Sequence, residues 1–226
     1  MFIGHYGVAL AAKKIEPKLS LGWLFAASQF VDILWTMFVF AGIEHVEIEP
    51  GLMEASPMNF VSYPYTHSLL MSVVWGVLVY ALVYALPIFK ALRGTKAALI
   101  MGAVTLSHWF LDLPVHRPDM PLAFGDSTKV GFGLWNNMTA TIALEVLLLL
   151  GGLWIYMKAT KPDGKRGRYG ISILCAVLIA VFTMTTMSQQ PPPSGKAMAV
   201  TGFFMYLIIC GFAAWLDTRR VAVKTE

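Results

Sequence analysis

Histidines and carboxylates sit inside or at the mouths of long apolar runs in this chain, and those residue types are the ones that hold metals or move protons. Asp32 interrupts the run 21–43, His67 opens 66–89, His108 and Asp112 lie within 97–115, and Glu145 lies within 134–157. An ionisable group in hydrocarbon costs roughly 2.5 kcal/mol or more, so such residues usually face a protein-lined site. His108 and Asp112 are spaced i, i+4, which puts both on one helix face, a standard way to present two ligands to one ion. Pro114 ends that helix, and His116-Arg117-Pro118-Asp119 follows as a loop from which His116 can fold back. Thr66-His67-Ser68 follows Pro64; Thr66 or Ser68 is placed to cap the next helix and hold His67 at its first turn.

Counting from the basic residues at about 1.5 Å per helical residue, Asp32 lies about 21 Å from Lys18. His108 and Asp112 lie about 18 and 24 Å from Lys96, and Glu145 about 20 Å from Lys158. Segments running in opposite directions thus deliver polar groups to one zone. The residues point to a metal site made of His5, Asp32, His67, His108 and Asp112, with His116 as a further ligand. Glu145 reads as a supporting partner or proton carrier, and Asp112, Asp119 and Glu145 are the candidate proton acceptors. Arg117 is the permanent cation available to an anionic group. Imidazole nitrogen with carboxylate oxygen suits Zn²⁺, with Mn²⁺ or Fe²⁺ as alternatives.

The elements that must position these groups are helices in a bilayer. Of the 226 residues, 57% are hydrophobic and 13% charged, and the mean hydropathy is +0.65. The charged share is about half the soluble norm of ~25%. Runs at 169–187 and 197–216 join the four above, each long enough for a ~30 Å hydrocarbon core. Basic residues alternate with the crossings: Lys13, Lys14 and Lys18; then Lys90, Arg93 and Lys96; then Lys158 to Arg168; then Arg219, Arg220 and Lys224. The intervening 44–65 connection has no Lys or Arg and four glutamates, read as a solvated acidic surface that also holds His45. The expectation is an all-α, single-domain (1–226), multi-pass protein of the cell's inner membrane, with six transmembrane helices and a cytoplasmic C-terminus. Residues 1–12 are too short to span. They are read as a half-inserted, re-entrant helix carrying His5 inward, or as an interfacial helix lying flat. Cys175 and Cys210 form no metal or disulfide pattern, and the net charge of +4 follows from topology without a nucleic-acid partner.

Tyr65-Thr66-His67-Ser68 and Ser107-His108-Trp109-Phe110-Leu111-Asp112 resemble motifs of the predicted membrane-bound metal-dependent hydrolases, membrane relatives of the zinc-dependent phospholipase C type of helical hydrolase. The resemblance covers residues 1–120 and implies that His5, Asp32, His67, His108 and Asp112 are metal ligands. It departs at Ser28-Gln29-Phe30-Val31-Asp32, which has one acid where the family often has two, and at Ser62-Tyr63-Pro64-Tyr65, where the family often has His-Arg. Residues 121–226 hold helices without a matching motif. The implied activity is hydrolysis of a membrane-associated ester or phosphoester, with a membrane lipid or lipid-linked substrate and a site open to the extracytoplasmic side. Two other classes use the same residues: a metal or proton transporter, and a non-catalytic subunit that meets a membrane-protein partner through the last three helices.

Overall fold

The computed structural model describes the chain except residues 93, 94, 126, 189 and 224–226; of 90–92 and 95 only the backbone is described. Arg93 and Lys224, which enter the charge reading, therefore lie outside the described residues. Helices dominate: α1 (Ile3–Ile15), α2 (Leu21–Ser28), α3 (Phe30–Ala41), α4 (Pro64–His67), α5 (Leu69–Ala85), α6 (Thr95–Asp112), α7 (Met138–Ala159), α8 (Gly164–Ser188) and α9 (Gly195–Asp217).

Among the described residues, three helices, α7, α8 and α9, are long and apolar enough to cross a membrane, and α2 with α3 make a fourth if the bent pair is one span. That is fewer than the six expected. At 17 residues α5 falls short of that length, and α6 mixes its apolar residues with polar ones, including Lys96, His108 and Asp112. The run 21–43, expected as one straight span, bends by 55° at Gln29. Gln29 leaves helical geometry there, with φ −105° and ψ 8°, and its side-chain amide donates to the Phe2 carbonyl at 2.9 Å. The break is thus held by α1 and not by proline or glycine.

The N-terminal helix is buried over most of its length. Ile3, His5, Tyr6, Ala9 and Leu10 expose no surface, so α1 is an interior element and not a helix lying flat with one face in water. Two glycines allow this. A Cβ on Gly7 would meet the Leu148 carbonyl oxygen at 2.2 Å, and one on Gly152 would meet the Gly7 carbonyl oxygen at 2.0 Å. Helices α1 and α7 therefore touch backbone to backbone, as small-residue interfaces permit.

Among the described residues, three short antiparallel strand pairs, not foreseen in the sequence, close the helix ends. They pair β1 (His45–Ile48) with β2 (Met58–Ser62), β3 (Met120–Pro121) with β4 (Lys129–Val130), and β5 (Thr160–Pro162) with β6 (Arg220–Ala222). Each pairs backbone groups that a helix terminus or loop would otherwise leave open. The last pair also ties the end of α7 to the end of α9. Beside it Asp217 accepts from Lys13 at 2.6 Å, from Tyr156 at 2.7 Å and from the Leu21 backbone at 3.0 Å. This buried cluster locks α1, α2, α7 and α9 together at the basic end of the bundle.

Candidate metal centre

At the opposite end of α1 the predicted residues come together. His67 ends α4, Asp32 lies in the first turn of α3, and His108 and Asp112 form the last turn of α6. His67 Nε2 is 3.3 Å from Asp32 Oδ1 and 3.7 Å from Asp112 Oδ2. His108 Nε2 is 3.5 Å from the same Asp32 oxygen and 3.1 Å from the same Asp112 oxygen. A four-coordinate ion with bonds of about 2.0–2.2 Å keeps its donors about 3.3–3.6 Å apart. The four His–Asp distances, 3.1 to 3.7 Å, lie close to that spacing.

Hydrogen bonds behind the rings set which nitrogen faces the centre. His108 Nδ1 lies 2.9 Å from the Ser28 carbonyl oxygen, an acceptor, so Nδ1 carries the hydrogen. His108 Nε2 is then the lone-pair nitrogen; it is buried and has no hydrogen-bond partner among the described residues. Ser28 stands at the α2–α3 break, so the bend that the apolar pattern conceals also orients this ligand. His67 Nδ1 lies 2.8 Å from Thr66 Oγ1, whose hydroxyl donates to Glu44 at 2.6 Å. With its hydrogen directed at Glu44, Thr66 accepts from His67 Nδ1–H, and His67 Nε2 is also left bare. This carboxylate–hydroxyl–imidazole relay is the kind of outer support that metal-binding histidines use.

Glu44 corrects the sequence reading. Its connection was expected to be a solvated acidic surface, yet Glu44 is 1% exposed and accepts from the Tyr65 and Thr66 backbone at 2.8 and 3.0 Å. Burial pushes its carboxyl up to about 7, against the pull of those bonds. Its neighbours His45, Glu47 and Glu49 are exposed as expected. The sequence signal was weak: Glu44 is the acid nearest the apolar run. Tyr206 was also missed. From α9 its hydroxyl donates to Asp32 Oδ2 at 3.0 Å, so a helix without a motif orients a ligand.

His5 joins from α1. Its Nε2 is 3.2 Å from Asp112 Oδ1, its ring stacks on His108 at 3.9 Å between centroids, and its Nδ1 is buried without a partner among the described residues. The Met1 amino group also donates to Asp112 Oδ1. His116 sits at the margin, with Nε2 4.0 Å from Asp112 Oδ2 and Nδ1 3.2 Å from Asp119 Oδ1. Two triads meet the geometric requirement for an ion: His5, Asp32 and His108, and His67, His108 and Asp112. The His108 Nε2 between two carboxylates, with its ring oriented from behind by the Ser28 carbonyl, fits a metal.

The other predicted residues stand behind this core. Both Glu145 oxygens accept backbone N–H groups, from Phe2 at 2.9 and 3.0 Å and from Gly4 at 2.8 Å. Glu145 thus anchors the N-terminus of α1, where a carboxylate is favoured by the orphan donors and the helix dipole. Asp119 accepts from the Tyr63 hydroxyl at 2.7 Å and from Arg117 Nε at 3.0 Å. Burial opposes its charge, but His116, Tyr63 and Arg117 outweigh burial and hold the carboxyl below its ordinary value. Arg117 also donates to Asn59 Oδ1 at 2.5 Å, and its side chain stays 31% exposed.

In comparisons with family models, curated proteins and solved structures, nothing matches this chain.

Proposed function

We propose that this chain is a multi-pass membrane protein whose His/Asp centre binds one divalent metal, Zn²⁺ in preference to Mn²⁺ or Fe²⁺, and hydrolyses a membrane-associated ester or phosphoester. The observation that supports it is that His67 and His108 each stand 3.1 to 3.7 Å from carboxylate oxygens of both Asp32 and Asp112, with both imidazoles oriented by bonds behind them. The resemblance at Thr66-His67-Ser68 and Ser107-His108…Asp112 points the same way. We read α5 and α6 as two further crossings beside the bent α2–α3 pair, α7, α8 and α9. That gives six spans in the inner membrane, with the basic ends and C-terminus cytoplasmic and the metal centre toward the other face.

A metal held there supplies a Lewis acid and lowers the pKa of water toward neutrality. The residues do the rest. His108 and His67 present bare nitrogens, and Asp32 and Asp112 balance the ion's charge. Asp32 is the ligand with some solvent contact, 8% exposed against 1–2% or less for the others, so water and substrate approach on its side. Asp32 Oδ2, held by Tyr206, is the acceptor for a proton released there. Arg117, half-open and pinned to Asp119 and Asn59, faces an anionic headgroup.

The near-complete burial of the other ligands favours a second reading, a closed structural metal in a non-catalytic subunit, because structural sites leave no open position.

Elemental analysis of the purified protein, paired with turnover of phospholipid and acyl-ester substrates, separates the two. Near-stoichiometric zinc with hydrolysis that His108→Ala abolishes is the expected result. Zinc without turnover supports the structural reading. Full metal content in His108→Ala, or no metal in the wild type after supplementation at neutral pH, overturns the centre itself.

A further inference from the structure

A second feature lies away from the metal centre, between α8 and α9. The two helices leave a groove of about 730 Å³ that is open along its length. Its walls carry Tyr169, Ile173 and Val177 of α8 and Ile208, Phe212 and Trp215 of α9, and Phe2 reaches its inner side. The lining on α8 runs from Lys165 to Val181, about 24 Å of helix, most of a ~30 Å hydrocarbon core. Nearly all of it is apolar. The polar exceptions are Lys165 and Arg166, and both stand at one end.

That end is incompletely satisfied. The Arg166 guanidinium lies over the Trp215 ring at 4.5 Å and donates through Nη2 to Thr218 Oγ1 at 3.2 Å. Its Nε is buried and has no acceptor among the described residues. Neither Arg166 nor Lys165 has a carboxylate partner among the described residues. The acids nearby are engaged elsewhere, Asp163 by Arg219 at 3.2 Å and Asp217 by Lys13. Two cations, one with an unused buried N–H, thus sit at the head of a hydrocarbon slot.

We propose that the α8–α9 groove binds one anionic phospholipid, with an acyl chain along the slot and the phosphate on Arg166 and Lys165. A free phosphate would leave the slot unfilled, and a plain hydrocarbon would leave both charges unanswered. A phospholipid satisfies both ends, and guanidinium is the side chain best shaped to hold phosphate oxygens. A net negative headgroup is favoured because two positive charges lack counter-ions. The site stands on its own observations and does not depend on the metal reading.

The test uses the full chain in detergent micelles, with retained lipid counted by native mass spectrometry. The probes are dioleoylphosphatidylglycerol, dioleoylphosphatidylcholine, single-chain lysophosphatidylglycerol and glycerol 3-phosphate. One phosphatidylglycerol per chain should persist when phosphatidylcholine is lost. The single-chain lipid should compete for it, and glycerol 3-phosphate should not. Arg166→Ala should weaken retention roughly fivefold or more, and the double change with Lys165→Ala roughly thirtyfold, at about 1 kcal/mol per basic residue. Val177→Trp, which fills the slot and leaves the cations, should also displace the lipid. Wild-type circular dichroism and thermal unfolding serve as the folding control for each variant. Equal retention of both dioleoyl lipids that Arg166→Ala does not change would mean ordinary surrounding lipid and overturn the site. Displacement by glycerol 3-phosphate alone would overturn the acyl part.

Discussion

At the residue scale, Glu44 and Thr66 govern His67 without touching the centre. A carboxylate at Glu44 takes the Thr66 hydroxyl hydrogen, so Thr66 must accept from His67 Nδ1. Glu44→Gln offers an amide N–H to Thr66 in place of an acceptor. The Thr66 hydroxyl then turns toward His67 Nδ1, and the hydrogen moves to Nε2. Thr66→Val removes the relay altogether. Both changes should weaken metal binding about 10–100-fold, the usual cost of losing such support, with the fold retained; competition with a chelator of known affinity measures it. Protonation should act as Glu44→Gln does. The folded carboxyl is raised from 4.5 to about 7, chiefly by burial, so Glu44 gains its proton as pH falls through about 7. Wild-type metal retention should decline there, and the Glu44→Gln variant should lack that component. For the metal-free fold the sign is opposite. Between about 4.5 and 7 the folded chain holds more protons than the unfolded one, so Glu44's contribution to stability falls as pH rises through that window. Urea midpoints of wild type and Glu44→Gln across that range check it.

At the scale of elements, the position of α1 is the sensitive variable. Helix α1 carries His5, and it rests on α7 through the Gly7–Gly152 approach and through Glu145 at its N-terminus. No side chain fits where a Cβ on Gly152 would stand 2.0 Å from a backbone oxygen, so the helices must part. Gly152→Ala should therefore destabilise the protein by about 1–3 kcal/mol, the range for overpacking, and lower metal affinity by moving His5. Thermal unfolding and metal content should shift together. A control at Gly151, where an added Cβ meets nothing within 4 Å, should leave both near wild type. Loss of stability with unchanged metal affinity would show that His5 is a neighbour of the centre and not a ligand.

At the scale of the whole molecule, the chain has an end with the His/Asp cluster and a basic end. The proposed orientation puts Glu47 outside and Lys161 in the cytoplasm; both are exposed. Single cysteines there should differ in intact cells. Glu47→Cys should react with a membrane-impermeant maleimide, and Lys161→Cys only after lysis. Cys175 and Cys210 are buried and should stay silent in both. The reverse pattern would invert the topology and place the metal centre toward the cytoplasm.

The sequence by itself determined the apolar helical character of the protein and singled out most of the histidines and aspartates that cluster in it. Apolar runs of bilayer length can only be helices where water is absent, because every backbone group must find its partner within the segment. Histidine and aspartate at i, i+4 must share a helix face, so the pairing of His108 with Asp112 was legible before any fold. The tertiary structure alone decided what stands behind those ligands. Tyr206 reaches Asp32 across 174 residues of chain, the Ser28 carbonyl reaches His108 across 80, and Glu44 reaches Thr66 across 22. None of these pairs has a local periodicity that reports it. The bend at Gln29 escaped for a related reason: the Phe2 carbonyl that holds it lies at the start of another helix, and Ser28 and Gln29 beside it are not helix breakers by themselves. Hydropathy depends on each residue's own transfer energy. Bends, second partners and the burial of a single glutamate depend on where distant helices cross.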